Sequence, residues 1–158
     1  MAEQSTVLID ANLLTLWIVG EVSKDEVLRN RRTKRYSIED HQILARYLTR
    51  FTHVMILPNI ATETSNLIGA LSGDYLKKAR AILAAGLNVW NESYIQSASA
   101  SKEPDFNRLG LTDAAILICA TRETEVLTDD LDLYLSLSRK RIPVTNFTHL
   151  RTAGLLES

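Results

Sequence analysis

Five short apolar runs rich in β-forming residues recur along the chain: TVLID (6–10), HVMIL (53–57), LNVWN (87–91), EVLT (125–128) and IPVTNF (142–147). Longer segments with apolar residues at helical spacing separate them: Asn12–Gly20, Ser37–Phe51, Asn59–Leu71, Asp74–Ala85, Thr112–Arg122 and Leu131–Lys140, with a weaker pattern over Ser93–Ala100. This alternation constrains the fold strongly. A helix between two strands returns the chain to the end of the sheet it started from, so the strands run parallel and helices cover the sheet. The expectation is one doubly wound α/β domain over residues 1–158, with a mostly parallel central sheet of about five strands flanked by helices.

Composition agrees with such a domain, at 46% hydrophobic and 23% charged residues. No apolar run approaches the roughly 18–20 residues that cross a bilayer, and MAEQSTVLID lacks the basic start and apolar stretch of a signal peptide, so no membrane partner and a cytoplasmic location are expected. The single cysteine, Cys119 in AAILICAT, reads as a buried helix residue rather than a catalytic thiol. With His41, His53 and His149 scattered, a zinc site is not expected. A net charge of -1 gives no overall attraction to nucleic acid, so any such surface must be local.

The acidic residues have a shared address. VLTDDLDLY crowds Asp129, Asp130 and Asp132 behind the fourth run, and VLIDAN ends the first with Asp10. Carboxylates this close repel unless water screens them or a cation sits among them. In an open α/β sheet the carboxyl ends of the strands form the ligand crevice where strand order reverses. Two more carboxylates stand beside the same edge: Glu63 about one turn into LPNIATETSNLIG, and Asp113 in the first helical turn of RLGLTDAAIL. Each has a plain structural reading, Asp as a helix cap or dipole partner and Glu63 as a surface residue. Their convergence on one side of one sheet singles them out.

In this order and at roughly these separations, VLIDAN, LPNIATETSNLIG, RLGLTDAAIL and VLTDDLDLY resemble the stations of the PIN domain family, over nearly the whole chain. The resemblance implies that Asp10, Glu63, Asp113 and Asp130 form the catalytic acidic set, with Asn12 and Thr128 in supporting positions. Asp132 lies where many members carry a further acidic residue, so the last metal ligand is not fixed to one position. The implied cofactor is Mg²⁺ or Mn²⁺, hard cations that prefer oxygen ligands, activate water and neutralise charge on the oxygens of a phosphodiester. Among the three acidic residues of VLTDDLDLY, Asp130 is expected to be the direct ligand, Asp132 a second or water-bridged one, and Asp129 to face solvent. The implied activity is a metal-dependent endoribonuclease acting on single-stranded or structured RNA, of toxin or defence type because the chain reads as one bare catalytic domain. A small antitoxin protein is the implied partner. The family's self-association implies a homodimer, with the helix Asn59–Leu71 as its candidate surface. A DNA or flap-type nuclease on the same acidic site and a non-catalytic nucleic-acid-binding scaffold are the alternatives.

A substrate of that kind needs positive charge near the acidic edge. LRNRRTKRY supplies it between the first two strands, with Arg31, Arg32 and Arg35 as candidate phosphate contacts; a solvated surface is the plain reading. SRKRI reads as a basic helix end that complements the dipole. Trp17 and Trp90 read as packing residues rather than base platforms, and SASASKEPDFNRLG (97–110) as a mobile loop bordering the site. A receiver-type domain also clusters acidic strand ends, but it requires a phosphoacceptor Asp after a middle strand and a late Lys. HVMILPN and IPVTNF carry neither.

Overall fold

The computed structural model describes residues 5–157, with side chains described through residue 154. Strands β1 (Thr6–Ile9), β2 (His53–Ile56), β3 (Asn91–Glu92), β4 (Thr124–Thr128) and β5 (Val144–Asn146) form one sheet in the order β3-β2-β1-β4-β5. Every pairing is parallel, and Leu8 of the central strand stands opposite both Met55 and Val126. Val7, Leu8, Val126 and Leu127 are fully buried, as befits strands covered on both faces. Strand order reverses between β1 and β4, so the carboxyl ends of these two strands frame the crevice of the fold.

The helices are α1 (Ala11–Val22), α2 (Lys24–Arg29), α3 (Ile38–Leu48), α4 (Pro58–Ile68), α5 (Gly73–Val89), α6 (Ser97–Ala100), α7 (Phe106–Leu109), α8 (Leu111–Cys119), α9 (Leu131–Arg139) and α10 (Phe147–Glu157). α1 is apolar nearly all round because α2, α3, α4 and α5 all pack on it. Its Gly20 lies under the imidazole of His41, where an added Cβ would fall 2.0 Å from the ring. α3 opens with a reciprocal capping box: the Ser37 side chain accepts from the Asp40 N–H, and the Asp40 carboxylate accepts from the Ser37 N–H. α4 opens on Pro58, whose missing N–H is one that no helix pairs at that position.

Several elements differ from the sequence expectation. Leu87–Val89 is the last turn of α5 rather than a strand, since the buried face of that helix continues through Leu83 and Gly86; pairing with β2 begins only at Asn91. The final strand is shorter than IPVTNF because Phe147, fully buried, already opens α10, a helix the sequence pattern did not suggest. Lys24–Arg29 forms an unforeseen short helix. The stretch 97–110 is not a bare loop: α6 and α7 pack against α8, burying Ala100 and seating Phe106 and Leu109 on the core.

Trp17 and Trp90 pack against the core and line an apolar cavity of about 250 Å³. Cys119 is half-buried, with its Sγ 3.4 Å from Met55 Sδ. Among the described residues, no helix is long and apolar enough to cross a membrane.

Candidate functional site

Asp10 is the junction of the site. β1 ends at Ile9, and the Asp10 N–H donates to Leu127 O at 3.0 Å, extending the ladder by one residue before α1 begins. Its Oδ1 caps α1 by accepting from the Leu13 N–H at 2.9 Å. Its Oδ2 accepts from Thr128 Oγ1 at 2.6 Å and from the Asp129 N–H at 2.9 Å, so both lone pairs of that oxygen are engaged and Oδ1 keeps one. Burial pushes the Asp10 carboxyl up; hydrogen bonds from Thr128, Leu13 and Asp129 oppose this, and the Asp129 charge adds to the rise.

Thr128 joins the two halves of the crevice. It donates to Asp10 while its hydroxyl oxygen accepts from the Asp130 N–H at 3.0 Å. Asp130 in turn caps α9, its Oδ1 accepting from the Leu133 N–H at 2.9 Å and its other oxygen having no hydrogen-bond partner among the described residues. Asp10 and Asp130 are therefore helix caps and crevice carboxylates together, since a carboxylate has lone pairs for both.

Asp113 stands in the first turn of α8, behind Gly110 at φ 86° and ψ -178°, a backbone region essentially reserved for glycine. Glu63 is exposed on α4 and accepts from Thr112 Oγ1 at 3.3 Å. Asp10, Asn12, Glu63, Asp113 and Asp130 line one cavity of about 320 Å³. Within it the Asp113 carboxyl is pushed up to about 7, first by burial and then by the charges of Asp130, Asp10 and Glu63. Four carboxylates thus line one space, and their charges add to the effect of burial on Asp113.

Of the other acidic and basic candidates, only Arg32 shares this cavity. Asp129 does not face solvent, as the sequence suggested; its side chain is only 12% exposed. Its Oδ2 accepts from Tyr36 Oη at 2.6 Å and lies 3.5 Å from Arg35, and its Oδ1 accepts from Thr148 Oγ1 at 3.1 Å. Burial and the bond to Asp129 push the Tyr36 phenol well above its ordinary value. Arg35 also donates to Tyr36 Oη at 2.7 Å and covers its ring, so its guanidinium, though 57% exposed, is engaged by Tyr36 and Asp129. Arg32 lines the acidic cavity, whereas Arg31 is exposed and is not part of its wall. Asp132 is also outside that wall, 64% exposed and 3.3 Å from Arg108.

Sequence reasoning passed over Asn66 and the structural role of Tyr36. Asn66 lines the cavity one helical step beyond Glu63, and the i, i+3 spacing was the available signal. Tyr36 bonds a residue 93 positions away, which no local pattern announces.

The donor set fits a hard divalent cation. Among the described residues no three His, Cys, Asp or Glu side chains close round a point as a finished metal cage. Mg²⁺ does not need one: it is held by one or two carboxylates and keeps several of its waters. The crowding that lifts Asp113 is the condition a cation relieves, and Asp10, Asp113 and Asp130 present carboxylate oxygens to it. Fold and cavity together define a doubly wound α/β protein with an acidic crevice at its switch point. No family model matches this chain, and neither does any curated protein.

Proposed function

We propose that this protein is a metal-dependent endoribonuclease of the PIN type that cuts single-stranded RNA. One observation carries the reading: carboxylates from four separate stations, the β1–α1 junction, α4, α8 and the β4–α9 junction, line one cavity at the switch point, where burial and then the charges of the other three push Asp113 up to about 7. Such repulsion weighs against folding and calls for a counter-charge. Asp10, Asp113 and Asp130 would hold Mg²⁺ or Mn²⁺, with Glu63 at the exposed side of the cavity. When bound, the cation activates water and offsets charge on the attacking and leaving oxygens of the phosphodiester.

The chain's own residues do the rest. Thr128 holds the Asp10 carboxylate and the Asp130 backbone in register, and Asn12 and Asn66 offer amide groups to the cavity. Arg32, on the same wall, is placed to donate to a phosphate oxygen. No nucleophilic side chain is required. A toxin- or defence-type role in the cytoplasm, a small antitoxin protein as partner and a homodimer belong to the same proposal, supported by the motif resemblance.

The test is cleavage of end-labelled single-stranded RNA by purified protein with Mg²⁺ or Mn²⁺, and its arrest by EDTA. Asp10→Asn and Asp113→Asn should each lower the rate by more than about 100-fold, a loss on the scale of removing a group that stabilises transition-state charge. Circular dichroism should show both variants folded. Undiminished cutting in EDTA, or by both variants, would sink the proposal.

A further inference from the structure

A second groove adjoins the acidic cavity. The two share Glu63 and Thr112 as a common wall, joined by the hydrogen bond from Thr112 Oγ1 to Glu63 Oε1. The groove measures about 360 Å³ and is lined further by Asn59, Thr62, Tyr94 and Ser97. Its place follows from the topology. Asn59 comes just after β2 and Tyr94 just after β3, and all strands run parallel, so the groove continues the carboxyl edge outward from the switch point.

The lining has a distinct chemistry. It carries no Lys or Arg, so it does not suit a phosphate. Tyr94 is a large aromatic side chain left 74% exposed. The side chains of Asn59, Thr62 and Ser97 make no hydrogen bond among the described residues, which leaves donors and acceptors free beside that ring. A flat aromatic next to the amide and hydroxyl groups of Asn59, Thr62 and Ser97, with the Glu63 carboxylate as a further acceptor at the shared wall, matches a nucleobase whose ring faces and polar edge are both accessible, the condition of an unpaired base. We propose that this groove is a subsite for one unpaired base of the RNA strand adjoining the phosphate to be cut, stacked on Tyr94 and hydrogen-bonded at its edge by Asn59, Thr62 and Ser97. The proposal rests on the nuclease reading and adds what the site selects: a splayed single strand, gripped by a base on one side and by Arg32 on the phosphate.

Binding of a fluorescein-labelled single-stranded oligoribonucleotide, followed by anisotropy in EDTA at low salt, tests it apart from cleavage. Tyr94→Ala removes an exposed side chain and should leave the fold intact while weakening binding by roughly 5- to 150-fold, the range for loss of one base–aromatic stack. Tyr94→Phe keeps the ring and should stay close to wild type. Replacing one nucleotide at a time by an abasic unit should reveal a position whose loss weakens the wild type but not Tyr94→Ala. Wild-type affinity in Tyr94→Ala, with RNA still cut by the wild type, would overturn the base subsite alone. Weakened RNA binding in Tyr94→Ala, together with a wild type that binds RNA but cuts none, would overturn the nuclease reading and leave the base-binding groove standing. Absence of any RNA binding by the wild type would overturn both.

Discussion

Asp113 is buried in the crevice and faces the charges of Asp130, Asp10 and Glu63. Its proton leaves near the ordinary 3.8 in an unfolded chain and near about 7 in the folded one. Between those values the folded state holds more protons, so the contribution of Asp113 to the stability of the metal-free protein should be greatest below about pH 4 and be lost as pH rises through about 7. The raised Asp10 carboxyl acts in the same direction. Urea melts in EDTA across this window should therefore show a steeper decline for the wild type than for Asp113→Asn, which cannot ionise; equal declines would mean that Asp113 does not feel its neighbours. The addresses of Asp10, Glu63, Asp113 and Asp130 were legible in the sequence because each follows from a local pattern, a strand end or a first helical turn. The choice of Asp130 over Asp129 for the crevice was legible from the strand end, but the burial of Asp129 was not. The distant Tyr36 takes that side chain.

The segment from Asn30 to Tyr36 is held as a unit between α2 and α3. Asn30 Oδ1 accepts from the Arg32 N–H at 2.8 Å, Thr33 Oγ1 donates to Val27 O at 2.9 Å, and the Tyr36 ring stands edge-on to Phe147 at 6.1 Å. Asp129 fastens the far end of the segment, so the residue once assigned to solvent positions the arm that carries Arg32. Tyr36→Phe keeps the packed ring and removes the donor, at a cost of about 1–3 kcal/mol if the partly buried carboxylate is left short of a partner. Amide exchange across residues 30–36 should accelerate, and affinity for RNA should fall while Mn²⁺ binding stays intact. Unchanged exchange would show that other contacts suffice. Elements show the same divide between local and distant causes: β1, β2 and β4 announce themselves by composition, whereas Leu87–Val89, expected as the start of a strand, is recruited into α5 by the packing of the helix before it.

At the scale of the whole molecule, a cation that binds only the folded state stabilises it by mass action, by about 2.7 kcal/mol at a hundredfold excess over its dissociation constant. For a domain of this size that corresponds to a rise of roughly 5–10 °C in Tm. Mn²⁺ should raise the Tm of the wild type by such an amount and that of Asp10→Asn much less; an equal rise in both would place the ion away from the crevice. The sheet's parallel character was legible from alternation alone, but its order was not, because pairing between runs far apart leaves no trace in either run. That order has a consequence for synthesis. The central strand is made first, yet the hydroxyl that orients Asp10 arrives 118 residues later, on β4. A ribosome partway through the message therefore carries β1 and β2 without the other half of the crevice. On the proposed function, a nascent chain is harmless to the messenger that encodes it until Thr128 and Asp130 have emerged, a delay set by topology and needing no inhibitor.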